Sequence, residues 1–200
     1  MEAVLYVHGR GGSAAEAEHY TPLFPGYDVT GLDYRGSEPW TAGPEIREAV
    51  LKLKEDHGAV DLIANSIGAW FCMCAGVGGM IRKAYFISPV TDMESLIRGM
   101  MAAEGVTERE LEEKKTVRTA SGDVLSWEYL SYVREHPVIW NAPTEILYGS
   151  CDALVPYASV SAFAEEHGCA LTVMENGEHW FHTGEQMRFL DGWITGGRCR

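Results

Sequence analysis

A serine placed between a strand pattern and a helix pattern is the first feature of this chain that could carry chemistry. The apolar run 60–64 leads into Ser66, and an apolar helical pattern follows directly. At such a turn the hydroxyl projects from the sheet edge, and the helix N-terminus directs positive charge toward it. The turn is tight, so small residues are needed two positions before and after the serine, where Ala64 and Gly68 stand. We interpret Ser66 as a nucleophile; the alternative is a serine that only caps the helix.

A serine hydroxyl is a poor nucleophile near pH 7, so it needs a neighbouring base. His179 follows the last predicted strand, which puts it on a loop at the edge where parallel strands end. His182 is the rival, and we expect it inside a closing helix. The remaining candidates are predicted to be solvated at helices or helix ends: His19, His57, His136 and His167. His179 is therefore the preferred base.

An acid must hold the imidazole of such a base in the correct tautomer. Asp152 follows the predicted strand 144–148, at the turn before another helix. The alternative is that Asp152 caps the helix that begins near Pro156. The chain order Ser66, Asp152, His179 favours the acid, because each of the three residues falls just after a strand end.

A glycine-rich turn, residues 8–12, follows the first predicted strand. Acyl transfer needs donors for an oxyanion, and we predict the backbone N–H groups of Ile67 and Arg10, with a neighbouring glycine as the alternative to Arg10. His8 is expected to orient this loop by hydrogen bonding. The turn lacks the spacing of nucleotide-binding glycine loops, which argues against phosphate binding.

Apolar runs rich in β-branched residues alternate with helical patterns along the chain, which predicts a parallel sheet covered on both faces. The predicted strands are 3–7, 27–32, 60–64, 84–87, 144–148 and 170–174. Helices are predicted at 44–57, 69–77, 157–166 and 181–194. Ser13 and Glu16 form a capping-box pattern at the start of a further helix.

Residues 91–137 interrupt this alternation and are too many for a plain loop. The patterns predict helices at 93–103 and 107–114, a hairpin from 115–119 and 123–125, and a helix at 127–135 that Ser126 caps. We interpret 91–137 as a small helical cap inserted into a single domain that spans 1–200. The alternative is an ordinary packing helix of the sheet with an irregular lead-in.

Five motifs taken together resemble the α/β-hydrolase superfamily. They are His8-Gly9-x-Gly11-Gly12, Asp33-Tyr34-Arg35-Gly36, Asn65-Ser66-Ile67-Gly68, Gly149-Ser150-Cys151-Asp152 with Val155-Pro156, and Gly177-Glu178-His179. The resemblance implies a three-layer α/β fold, a Ser–His–Asp triad, an oxyanion hole and no cofactor. Two departures stand out: Ala64 replaces the usual first glycine of the serine motif, and the first strand looks like the family's third. The second departure implies a shortened, mostly parallel sheet of about six strands.

The activity expected from these residues is hydrolysis of a small carboxylic ester through an acyl-enzyme. A thioesterase or an amidase would use the same triad. Other classes are a non-catalytic hydrolase-like ligand-binding protein and a structural partner protein. Ser66 argues against a dehalogenase or an epoxide hydrolase, which would carry an aspartate. The candidate pocket residues, each with core packing as the alternative, are Trp70, Trp127, Trp180 and Met100, with Met93, Leu96 and Tyr129 beside them.

The charge balance limits the partners of the protein. With 16 Lys and Arg against 29 Asp and Glu, the net charge is −13, which argues against binding to nucleic acids or anionic membranes. The expected partners are a small acyl substrate and water. The sequence shows neither a leader pattern nor an apolar run of about 18 residues. Five cysteines without paired metal or redox spacing predict free thiols, no metal site and a cytoplasmic location.

Overall fold

The computed structural model describes residues 1–196, in which a six-stranded parallel sheet is the central element. The strands are β1 (Glu2–Val7), β2 (Tyr27–Leu32), β3 (Val60–Asn65), β4 (Lys83–Ile87), β5 (Thr116–Arg118), β6 (Val124–Ser126), β7 (Thr144–Gly149) and β8 (Ala170–Met174). β5 and β6 form a separate antiparallel hairpin, and the other six make the sheet. The predicted sheet of about six strands is confirmed.

The strand order is β2-β1-β3-β4-β7-β8. The chain moves outward from β1 to β2 and then returns to the other side of β1 with β3. Ligand sites of open α/β sheets lie at such a reversal, beyond the carboxyl ends of the strands. Val7 pairs with Ala64 in register, so the loop after β1 and the turn after β3 leave the sheet at the same level.

Helices connect these strands. A 3₁₀ helix spans Ala14–Leu23, and the α-helices are α1 (Pro39–His57), α2 (Ile67–Cys74), α3 (Met93–Ala103), α4 (Glu108–Lys114), α5 (Trp127–Glu135), α6 (Tyr157–His167) and α7 (Gly184–Gly196). The 3₁₀ helix and α1 lie in crossovers that run in opposite directions. Since such crossovers are right-handed, the two helices cover opposite faces of the sheet.

Three predicted helices have wrong bounds. α2 spans Ile67–Cys74 and not 69–77, because it begins directly after Ser66. α1 begins at Pro39 and not at Pro44, because a proline at the first helical position loses no hydrogen bond. α7 begins at Gly184 and not at 181, because Thr183 and Gln186 cap it reciprocally. Gln186 N–H donates to Thr183 Oγ1 at 3.2 Å, and Gln186 Oε1 accepts from Thr183 N–H at 3.5 Å.

Alternate residues of the strands build one core face of the sheet. Val4, Tyr6, Ile63 and Tyr85 belong to one buried cluster together with residues of the 3₁₀ helix and α7. The two-residue period of a strand puts these side chains on the same face. Tyr6 also donates its hydroxyl hydrogen bond to Glu16, which ties the 3₁₀ helix to β1. This packed face supports the strands whose carboxyl ends carry the loops.

The chain divides into two compact units: residues 1–91 with the chain from 139 onward, and residues 92–138. In the second unit, α3, α4, the hairpin and α5 begin and end within one residue of their predicted bounds. Ser126 Oγ accepts from Tyr129 N–H at 3.2 Å, so the predicted cap of α5 is present. The unit's bounds differ by one residue from the predicted 91–137, and its role as a cap stays a prediction.

Four cysteines of the described chain are free thiols: Cys72, Cys74, Cys151 and Cys169. Cys199 lies outside the described residues. Within residues 1–196, none of the helices combines the length and the apolar composition that crossing a bilayer needs. The cytoplasmic location stays a prediction.

Candidate active site

Ser66 occupies the one-residue turn between β3 and α2 with a backbone conformation that is rare for serine. Its φ is 53° and its ψ is −122°, a region that costs a non-glycine residue about 1–3 kcal/mol. Hydrogen bonds hold the residue there. Ser66 N–H donates to Ile87 O at 2.9 Å, and Ser66 O accepts from Val90 N–H at 3.1 Å. The end of β4 and the residues after it therefore bind both the N–H and the carbonyl group of Ser66.

Small residues let the surrounding backbone approach this turn, as predicted for Gly68. A Cβ on Gly68 would stand 2.4 Å from the carbonyl oxygen of His8, because α2 crosses the end of β1. A Cβ on Gly9 would lie 3.1 Å from Ser66 Cβ. Ala64 is completely buried. The glycine-rich loop after β1 is thus packed directly against Ser66.

The structure brings Ser66, His179 and Asp152 into one chain of hydrogen bonds. Ser66 Oγ lies 2.8 Å from His179 Nε2, and His179 Nδ1 lies 2.6 Å from Asp152 Oδ2. Because the carboxylate only accepts, Nδ1 carries the proton, and in the neutral ring Nε2 is left to accept from the serine hydroxyl. Within the described residues Ser66 makes no side-chain capping bond to α2, so the capping alternative for this serine is wrong.

Asp152 is held on three sides. Its side chain is 0% exposed, and Oδ1 accepts from the N–H groups of Leu154 at 2.8 Å and Val155 at 2.9 Å. These bonds close the loop after β7 ahead of α6. They do not cap α6 itself, whose N-cap is Pro156. The carboxylate is therefore fully hydrogen-bonded and fixed in orientation toward His179.

The other histidines take different positions. His182 precedes α7, so its predicted place inside the closing helix is wrong; it donates from Nδ1 to Trp180 O at 2.7 Å and stacks on that ring. The four histidines predicted at helices or helix ends lie there, and none of them is buried. Each also has a protein partner. The pairs are His19 with Asp191, His57 with Asp28, His136 with Tyr132 O, and His167 with Trp140 O.

His8 orients the loop after β1, as predicted. Its Nδ1 donates to Gly9 O at 2.8 Å, and its ring stacks on Tyr34 with centroids 4.4 Å apart. Tyr34 donates its hydroxyl to His8 O at 2.9 Å. Burial raises the pKa of Tyr34, so the phenol stays protonated and remains a donor. Sequence reasoning missed Tyr34, although it belongs to the motif after β2.

Sequence reasoning also missed Ser88, which follows β4. Its φ is 45° and its side chain is fully buried. Its N–H donates to Leu147 O at 2.8 Å, and its hydroxyl has no hydrogen-bond partner within residues 1–196. The available signal was a Ser-Pro pair at the end of a predicted strand. This strained residue sets the course of the chain between Ile87 and Val90, the two residues that fasten Ser66.

Comparison with solved structures identifies this architecture, whereas no family model and no curated protein matches the chain. Est1E from Butyrivibrio proteoclasticus is similar with a TM-score of 0.73, at 17% identity over 99% of this chain and 86% of that one. Mouse α/β-hydrolase domain-containing protein 10 has a TM-score of 0.72, at 18% identity over 98% and 89%. The chain has the α/β-hydrolase fold. The resemblance inferred from the five motifs is confirmed at the level of the fold.

A third structure with the α/β-hydrolase fold adds a description of chemistry. It comes from Xanthomonas campestris, is described as an α/β serine hydrolase without a lid, and has a TM-score of 0.66 at 16% identity over 100% of this chain and 81% of that one. In the α/β-hydrolase fold of the present chain, Ser66, Asp152 and His179 follow β3, β7 and β8. Parallel strands end at one edge, which is why three residues far apart in sequence meet there.

The candidate pocket residues separate into three groups. Trp70 is 3% exposed on α2, so the packing alternative fits it and the pocket assignment does not. Trp180 stands beside His179 and is 67% exposed. Trp127 begins α5 and Met100 lies in α3; both belong to the unit 92–138, and their part in a pocket stays a prediction. The same holds for the N–H groups of Ile67 and Arg10 as oxyanion donors.

Proposed function

We propose that the protein is a serine hydrolase that cleaves small carboxylic esters through an acyl-enzyme. Ser66 is the nucleophile, His179 the general base and acid, and Asp152 the group that orients the imidazole. The observation that carries the proposal is the continuous hydrogen-bond chain from Ser66 Oγ through His179 to the buried Asp152 carboxylate. The similarity to a fold neighbour described as a serine hydrolase supports it.

Acylation begins when Ser66 Oγ attacks the ester carbonyl carbon. The hydroxyl proton moves to His179 Nε2, and the carbonyl electron pair moves onto oxygen. When the tetrahedral intermediate collapses, the bond from carbon to the alcohol oxygen breaks, and His179 returns its proton to that oxygen. The products of this half-reaction are the free alcohol and an acyl ester on Ser66.

Deacylation repeats these steps with water. His179 takes a proton from water, the hydroxide attacks the acyl carbon, and Ser66 Oγ leaves with the proton from His179. The net change is ester plus water to carboxylic acid plus alcohol. Asp152 stays ionised throughout and stabilises the imidazolium that forms twice in each cycle.

Two backbone N–H groups are assigned to the oxyanion. Ile67 is the first residue of α2, where unpaired N–H groups and the helix dipole favour negative charge. Arg10 lies on the loop whose Gly9 packs against Ser66. Donors of this kind contribute roughly 10²–10³ in rate each.

Thioesters and amides are the second choice, because the same groups would act on them. A non-catalytic ligand-binding protein is less well supported. Such a protein has no need of a serine held at φ 53° and hydrogen-bonded to a histidine with its own buried acid. Strained backbone that the surrounding structure maintains is typical of functional sites.

Labelling with a fluorophosphonate probe tests the proposal. Wild-type protein is expected to be labelled at Ser66 and to hydrolyse p-nitrophenyl acetate, whereas Ser66→Ala should do neither. Ser13→Ala is a matched control, because Ser13 lies outside this hydrogen-bond chain. An unlabelled wild type, or label retained by folded Ser66→Ala, contradicts the proposal.

A further inference from the structure

An open cleft lies on one side of His179, between the loops that follow β7 and β8. Its volume is about 450 Å³, and it is shallow and open to solvent. Leu154 is 50% exposed and Trp180 is 67% exposed in its walls. The lining residues are Cys151, Ala153, Leu154, Glu178, His179 and Trp180. These two apolar side chains therefore share one cleft with the candidate catalytic histidine.

The exposed indole of Trp180 is held in place. The ring of His182 stacks on it with centroids 4.7 Å apart and planes 20° apart. The same His182 donates from Nδ1 to Trp180 O at 2.7 Å. The wall of the cleft is therefore preorganised, which lowers the entropy lost when a ligand packs against it.

The direction of proton transfer determines which part of a substrate reaches this cleft. In the reaction proposed above, on which this inference rests, His179 Nε2 gives its proton to the departing oxygen. That oxygen must lie within hydrogen-bond distance of Nε2. The remainder of the leaving group consequently extends along the surface that His179 itself lines.

We propose that the cleft is the leaving-group subsite and that it selects uncharged apolar alcohols, aryl alcohols above all. Leu154 and Trp180 supply an aliphatic and an aromatic wall for such a group. Among the described lining residues Glu178 is the one carboxylate, and its side chain is 53% exposed. Its negative charge disfavours an anionic leaving group, so thioesters of polyanionic carriers are poor substrates.

Two side chains of the described chain lie near the carboxylate of Glu178. His182 Nδ1 lies 3.6 Å from Glu178 Oε2, and Gln186 Nε2 donates to the same oxygen at 3.4 Å. Neither of these two neighbours is a lysine or an arginine. The net charge of −13 adds to the repulsion of anions.

Acetate esters with different alcohols test the inference, because the acyl group then stays constant. The measurement is kcat/KM for phenyl, methyl and 4-carboxyphenyl acetate, compared between variants for each ester so that intrinsic reactivity cancels. Trp180→Ala is expected to lower kcat/KM about tenfold for phenyl acetate and less than about twofold for methyl acetate. Leu154→Ser should act in the same direction.

The charge is tested separately. Glu178→Gln is expected to raise kcat/KM for 4-carboxyphenyl acetate by about threefold to tenfold relative to its effect on phenyl acetate. The gain should shrink at high salt, because salt screens exposed charges. Glu165→Gln is the matched control: it removes the same charge from the exposed face of α6, outside the cleft, and should change neither ester.

The outcomes separate this inference from the proposed function. If wild-type protein hydrolyses no ester and is not labelled at Ser66, the proposed function fails. If it is active and labelled, but Trp180→Ala and Glu178→Gln leave the preference among alcohols unchanged, the leaving-group subsite alone is wrong. A Trp180→Ala effect that follows acyl-chain length at constant alcohol would make the cleft an acyl subsite and would also overturn it.

Discussion

The buried carboxylate of Asp152 binds both the backbone of its own loop and the imidazole of His179. Oδ1 accepts two backbone N–H groups of its own loop, and Oδ2 accepts from His179. A buried carboxylate with all these partners is fixed in orientation. The loop and the imidazole are thereby held by a single side chain. The strained backbone of Ser66 is maintained in a comparable way, by hydrogen bonds from the end of β4.

Asp152→Asn is expected to lower kcat for ester hydrolysis by about 10⁴-fold with a small change in KM. The amide cannot accept from His179 Nδ1 and from the backbone at once without presenting its NH₂ group to one donor, so the tautomer of the imidazole is lost. Steady-state kinetics measure the effect. The control is His182→Ala measured with methyl acetate, whose leaving group is too small to depend on the Trp180 wall, and it should retain most of kcat. If His179→Ala keeps its activity and His182→Ala loses it, the wrong histidine was chosen.

At the scale of elements, the crossing of α2 over the end of β1 builds the site. This crossing brings the glycine-rich loop against Ser66 and aims the helix N-terminus at the same point. It depends on Gly68, where a side chain would meet the carbonyl oxygen of His8. Tyr34 fixes the other side of the loop from the end of β2.

Gly68→Ala is expected to destabilise the protein by about 1–3 kcal/mol, because backbone must move to admit the methyl group. Ester hydrolysis should fall with it, since Ser66 shifts relative to the loop. Gly192→Ala is the matched control in α7, where an added Cβ meets no atom within 4 Å; it should stabilise by up to about 1 kcal/mol. Urea unfolding measures both, and equal effects of the two substitutions would contradict the close crossing.

At the scale of the whole molecule, the sheet and its helices bury several weak acids. Burial raises the pKa of the Cys72 thiol and of Tyr6 and Tyr20, and it raises the pKa of Cys74 to about 12. Above pH 9 the unfolded chain loses thiol protons that the folded protein keeps. Since the folded state then binds more protons, the free energy of unfolding decreases as the pH rises.

The stability of the protein is therefore expected to be insensitive to these groups below pH 8 and to fall between pH 9 and pH 11. Each such group contributes a loss of about 1.4 kcal/mol per pH unit above its unfolded pKa. Urea unfolding at pH 8, 9, 10 and 11 measures the slope. Cys72→Ala should flatten it by one group; an unchanged slope in that variant, or constant stability up to pH 11, would rule out this account.

Local patterns in the sequence predict most of the secondary structure of this protein. The six strands of the sheet were predicted within about a residue, because apolar β-branched runs and flanking turn residues act over short distances. The cap at Ser126 and the hairpin that precedes it are equally local signals. Thr183 and Gln186 are a local capping signal for the start of α7. The prediction instead followed the spacing of apolar residues, which placed the start at 181.

Only the tertiary structure decided which distant residues meet. His179 and His182 are three residues apart, and the choice between them depends on how the loop after β8 reaches the end of β3. The contact of Tyr34 with His8 requires β2 to lie beside β1. The order of the strands and the close approach of two backbone segments depend on residues far apart in the sequence. Local sequence patterns therefore do not predict them. The sequence around Ser66 predicts a nucleophile. The hydrogen-bond partners of Ser66 and its strained backbone, however, arise only when the strands assemble into the sheet.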